Sequence, residues 1–361
     1  SSSSSSPSPP PSSSYQIVEY KEPSRVDDNG LLRTSSLHAP NMLLRGHTSA
    51  VTTLNFSPDG AFLASGSMGK GQTFLWDLES NPASPHTVGV YDGHKRAVLD
   101  TCFTADGERL VTASADTTLG LWNLQTGQLT RRLKGHTSYV NSCCAVRPSG
   151  ASGTSYALNN VLASCEDNGV VCLWDLRSSR SVATLEHEWP LLTCTFGRDG
   201  SSALFTAGLD NCVQQWDLRK GLTAPGNVLR TYSGHKDTIT GISLSPDGAS
   251  LLSNGMDNRL IQWDVRPFSA GRKDRNIGEY LGGQHNFEKM MLRAAWSADG
   301  KSVSCGSSDG ILHVWSVDTR QPTYALPGHQ GSVLDVKFHP TQPILASSGV
   351  GGEIFLGELE L

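Results

Sequence analysis

The chain has 361 residues, of which 37% are hydrophobic, and a formal net charge of −5. That balance argues against a general polyanion binder, which would show a clear excess of Lys and Arg, and no run approaches the ~18 consecutive apolar residues of a membrane-spanning helix. The eight cysteines form no CxxC pair and no Cys/His set at zinc-ligand spacing, so free thiols in a reducing compartment are expected, with no metal or other cofactor.

Taken from its start, the chain opens on "SSSSSSPSPPPSSS", a low-complexity segment that cannot bury enough apolar area to offset the entropy of ordering. Residues 1–34 are expected to be a flexible tail and residues 35–361 one domain. A short strand, "NMLLR", precedes Gly46-His47. Then come "VTTLNF", the turn "SPDG", "FLASGS", a second turn and "TFLWD". Asp-Gly between β-type runs predicts hairpins. The same order of strand and turn recurs to the end, with turns "TADG", "GRDG", "SPDG" and "SADG", and no long segment of helical period appears.

The recurrence is periodic. His47, His94, His136, His187, His235, His285 and His329 lie 42 to 51 residues apart. A tryptophan or its replacement follows each, 27 to 30 residues on in six copies and 38 in the third: Trp76, Trp122, Trp174, Trp216, Trp263 and Trp315, with Leu356 in the last copy. Two further columns lie between them. Asp116, Asp210, Asp257 and Asp309 stand six residues before their tryptophan. Thr112, Ser164, Thr206 and Ser253 stand ten before it, and Ser65 fits after one extra turn residue. A buried indole N–H needs an acceptor, a hydroxyl both accepts and donates, and neutral imidazole carries one nitrogen of each kind. A turn carboxylate would fix the imidazole tautomer. These columns predict a structural network in every copy and argue against a hydrolase triad, which would need one special copy. Copies one, three and seven lack the turn Asp, copy three having Asn168 there, and their networks are expected to be incomplete.

The period and the Gly-His and Trp-Asp marks resemble the WD40 repeat. The resemblance implies an all-β, seven-bladed propeller. With too few residues after Leu356 for a fourth strand, residues 37–45 are expected to close the ring as the outer strand of the last blade. It also implies that the Gly-His loops and Asp turns share one face, with the turns inside the first hairpin and the loops after Trp-Asp on the other. Copy three carries an insertion, "RPSGASGTSYALNN", and copy six carries two extra residues within "HNFEKMML".

Fold alone does not fix function. No convergent acid/base pair, phosphate-cradling loop or metal set stands out, so a protein-interaction platform is expected and an enzyme is not. Tyr139, Trp189 and Phe287 sit in polar loops, either packed on neighbouring loops or serving as partner anchors. Non-consensus strings such as "RLKGHTSYVNSC", "LLSNGMDNRLIQWDVRPF" and "HNFEKMMLRAAWSADG" resemble WD-repeat subunits of the U5 small nuclear ribonucleoprotein. That resemblance implies a nuclear, spliceosomal platform beside the large U5 scaffold protein and other splicing proteins. RNA would be nearby but little read by sequence, with no membrane and no small-molecule substrate. A competing resemblance is to the WDxR box of cullin-type ubiquitin-ligase substrate receptors, which would make Arg177, Arg219 and Arg266 adaptor-binding residues. A peptide-tail reader across the central opening, and direct RNA sequence readout, rank below both.

Overall fold

Four of the Asp-Gly turns close as their sequences demand. Ser57, Thr104, Ser245 and Ser297 each hydrogen-bond the turn aspartate two residues on. The following Gly60, Gly107, Gly248 and Gly300 take φ between +70° and +86°, a left-handed conformation open to glycine. In the computed structural model, which describes residues 35–37, 39–80, 86–146, 160–198, 203–219, 228–268 and 275–359, these hairpins build seven four-stranded antiparallel sheets.

Blades one to six run Val51–Tyr91, Val98–Lys134, Val140–Glu186, Leu191–Ser233, Ile239–Leu281 and Ala294–Pro327, each from its innermost to its outermost strand. Blade seven takes three strands from Val333–Glu358 and its fourth from Asn41–Leu44. That strand pairs antiparallel with Ile354–Glu358, Asn41 opposite Gly357 and Leu44 opposite Ile354. Leu37, Met42 and Leu44 are buried in one apolar cluster with Val51, Leu54, Trp76 and Leu356, so the closing strand also seals the seam between blades seven and one. The ring is therefore closed as the sequence predicts. The proposed tail, and most of the copy-three insertion, lie outside the described residues.

The innermost strands pack on one another around a central channel. The extra residues of blade six reach over it. Leu292 is buried with Leu334 and Ala50, and Met290 packs on the cluster. Arg293 extends to the second blade, its guanidinium 2.6 Å from Asp100 Oδ1 and 2.9 Å from the Leu99 carbonyl. Gly241 lets this backbone come close, since a Cβ there would stand 3.0 Å from the Arg293 Cα. Arg293 thus spans from blade six to blade two across the channel. On the other side the channel widens into a cavity of about 600 Å³. Cys102, Cys143, Cys144 and Cys194 stand in its wall, and all eight cysteines are free thiols.

Candidate functional site: the blade networks and the two loop faces

Blades two and five carry the full four-group chain. In blade five, His235 Nε2 lies 2.7 Å from Ser253 Oγ, and its Nδ1 lies 2.9 Å from Asp257 Oδ1. The Trp263 indole donates to the same Ser253 Oγ at 2.7 Å. Blade two repeats this with His94, Thr112, Asp116 and Trp122. Burial acts against ionised Asp257. Hydrogen bonds from His235 and the Lys236 amide outweigh it and hold the carboxyl below the usual carboxylate range.

Blades three and seven take their carboxylate from an unexpected position. In blade three, Asn168 turns to Thr137 Oγ1, and Glu166 supplies the carboxylate 3.2 Å from His136 Nδ1. His136 Nε2 and the Trp174 indole both meet Ser164 Oγ. In blade seven, His329 contacts Ser347 Oγ at 2.8 Å and Glu353 Oε1 at 3.3 Å, while Phe355 presents its ring to the imidazole. The expectation of an incomplete network is overturned in blade three; in blade seven the carboxylate is supplied but the indole is still absent. In both, a glutamate reaches from outside the Asp column, its side chain being one methylene longer.

Among the described residues no carboxylate bonds the blade-one histidine. His47 bonds Ser65, which also receives the Trp76 indole, and Phe74 stacks on the imidazole at 4.2 Å. Burial without an anion pulls the His47 pKa down to about 4. An unfolded-state value near 6.5 then means that the unfolded chain binds the extra proton between those pH values. Stability from neutral His47 is fully present above pH ~6.5 and is lost as pH falls towards 4. Urea unfolding at pH 7 and pH 5 should show wild type losing more stability than His47→Gln over that interval; equal losses would contradict it.

Blades four and six depart further. In blade four, Gln214 enters between His187 and the hydroxyl. Its amide nitrogen meets His187 Nε2 and donates to Asp210 at 3.0 Å. The Trp216 indole still donates to Thr206, but His187 does not contact it; Nδ1 instead reaches the Trp189 carbonyl at 3.0 Å. In blade six, the hydroxyl position holds Cys305. A thiol is a weak acceptor, and the Trp315 indole donates to the Leu281 carbonyl instead. Asp309 is bonded by His313, whose ring stacks on Trp315. His285 is left with a buried Nδ1 that has no hydrogen-bond partner among the described residues.

These differences rank the histidines. His235→Ala strands Asp257 and Ser253 in a buried network and should cost roughly 1–3 kcal/mol. His285→Ala removes no established bond to hydroxyl or carboxylate and should cost less than half as much. Denaturant midpoints of the two variants test the ranking, and equal shifts would refute it.

The loop residues are displayed. On the Gly-His face, Phe287 is 91% exposed, Trp189 53% and Tyr139 46%. The reading of Phe287 as packed on a neighbouring loop is thereby corrected: Asn286 Oδ1 accepts the Glu288 amide and turns Phe287 outward. Tyr139 receives Arg96 at its hydroxyl. On the opposite face Arg177, Arg219 and Arg266 each fold back on the aspartate of their own Trp-Asp pair, Arg266 through two bonds of 2.8 and 2.9 Å to Asp264. Each guanidinium therefore already has a carboxylate partner within the chain.

A model of the WD domain, G-beta repeat, matches residues 39–77, 85–123, 127–175, 226–264, 285–316 and 320–356. The chain belongs to the WD-repeat family. The gap in the match falls on blade four, where Glu186-His187 replaces Gly-His, yet Leu191–Ser233 forms the same four-stranded sheet. The human U5 small nuclear ribonucleoprotein 40 kDa protein is 38% identical over 94% of this chain and 89% of its own length. Its Dictyostelium discoideum counterpart is 36% identical over 92% and 88%. Pre-mRNA-splicing factor cwf17 of Schizosaccharomyces pombe is 36% identical over 95% and 94%. These matches cover the whole ring, so the chain shares their family at full propeller length.

Proposed function

We propose that this chain is a non-catalytic protein platform of the U5 small nuclear ribonucleoprotein, acting in the nucleus in pre-mRNA splicing. The observation that carries the reading is full-length identity to relatives whose names place them in that particle or process. The recurring His, Ser/Thr and Trp groups are spent on holding blades, which leaves the loop faces for contact. Tyr139, Trp189 and Phe287 are the anchors on one face, and the large U5 scaffold protein is the expected partner, with other splicing proteins. Exposed aromatics of this kind are enriched among interface hot spots.

Affinity purification from nuclear extract at mild salt tests this. U5 proteins and U5 RNA should dominate the recovered material. Trp189→Ala or Phe287→Ala should lower recovery about fivefold at unchanged melting temperature, as loss of ~1 kcal/mol predicts. Recovery of a cullin adaptor without U5 components would overturn the proposal in favour of the Arg177, Arg219 and Arg266 reading.

A further inference from the structure

The loop after the blade-five Trp-Asp pair is built to hold one aromatic ring in water. Phe268 is 94% exposed, the most exposed of the large hydrophobic side chains described. The backbone just before it is pinned by two arginines. Arg230 donates to the Arg266 carbonyl at 3.2 Å and the Pro267 carbonyl at 2.9 Å. Arg275, itself at φ +53°, donates to both carbonyls and to that of Asp264. Carbonyl groups satisfy guanidinium hydrogen bonds without cancelling their charge.

Among the described residues, the carboxylates paired with Arg266 and Arg219 lie deeper than the arginines that cover them. The Asp264 side chain is 7% exposed and its Arg266 partner 61%; the Asp217 and Arg219 pair stands at 5% and 70%. Water therefore meets an arc of arginine on blades four and five, although the whole chain carries −5. A protein interface would surround its anchor with apolar contacts. Here the side chains that the structure ties to the Phe268 loop are arginines. An isolated aromatic platform flanked by guanidinium groups is the arrangement that takes single-stranded nucleic acid, phosphates on the cations and a base on the ring.

We propose that this corner, on the face opposite the Gly-His loops, binds single-stranded RNA without regard to sequence, stacking a base on Phe268. The proposal goes beyond the splicing platform and stands independently of it, because it concerns purified protein and naked RNA. The experiment is fluorescence anisotropy with a labelled 12-nucleotide oligouridine across 50 to 200 mM salt. Binding should be saturable at 50 mM and weaken log-linearly with salt. Phe268→Ala should weaken it about fivefold or more with the salt slope unchanged. Arg219→Gln and Arg266→Gln combined should flatten the slope by about 1.4, at ~0.7 for each phosphate no longer neutralised. Melting curves confirm that each variant is folded, and Phe268→Ala, fully at the surface, keeps the test open if the double variant is not. No saturable binding at 50 mM, or equal affinity for Phe268→Ala, would overturn the proposal. So would displacement of RNA by charge-matched polyglutamate as effectively as by unlabelled oligouridine, which would indicate an acidic protein segment as occupant.

Discussion

Deleting residues 1–45 should abolish the cooperative melting transition, whereas deleting 1–33 should leave it unchanged. The longer deletion removes Leu37, Met42 and Leu44 from the seam between the first and last blades. Full burial of such side chains contributes ~1.5–3 kcal/mol each, together comparable to the entire stability of an ordinary domain, ~5–15 kcal/mol. It also strips the ladder from Asn41 to Leu44 off Ile354–Glu358 and leaves that strand as an open edge inviting association. The loss should therefore appear both in calorimetry and as concentration-dependent aggregation. The shorter deletion removes polar, Ser/Pro-rich sequence ahead of Ser35, whose amide bonds Glu358. A 1–45 deletion that melts within a few degrees of the full chain would refute the closure.

The ring and its closure could be read from the sequence because their signals are local and repeated. Asp-Gly turns set hairpins, and the His and Trp columns set the blade count. The orphan strand "NMLLR" had one vacancy to fill. What could not be read depends on side-chain reach. Glu166 and Glu353 lie outside the Asp column, and only the fold shows that their carboxylates meet His136 and His329. Blade six filled its columns with His285 and Asp309, yet the two do not pair. Cys305 offers no good acceptor, and His313, four residues from Asp309, takes its place. Gln214 and Cys305 were visible at their positions: Cys305 replaces the hydroxyl, and Gln214 inserts between the histidine and Thr206. Residue type at those positions, and not the His and Asp columns alone, carries the signal.

Arg293→Met should destabilise the propeller by ~3–5 kcal/mol, the cost of leaving its buried carboxylate partner without a cation. No periodicity announced this residue, because its partner Asp100 lies 193 residues away on the second blade. The two side chains are only 12% and 6% exposed. Arg293 also satisfies the carbonyls of Leu99 and Asn141, so one side chain ties blade six to blades two and three through the channel. Asp100 in turn accepts Ser142 Oγ at 2.8 Å and the Cys143 amide at 2.9 Å. Removing either partner leaves the other buried and uncompensated, while removing both removes that penalty. Arg293→Met combined with Asp100→Asn should therefore be less destabilised than the sum of the single variants by about 1 kcal/mol or more, the coupling expected of a contacting charge pair. Urea midpoints for the four proteins of the cycle measure it. Additive singles, or an Arg293→Met midpoint equal to wild type, would mean that the channel is held by Leu292 and Leu334 and not by the ion pair beneath them.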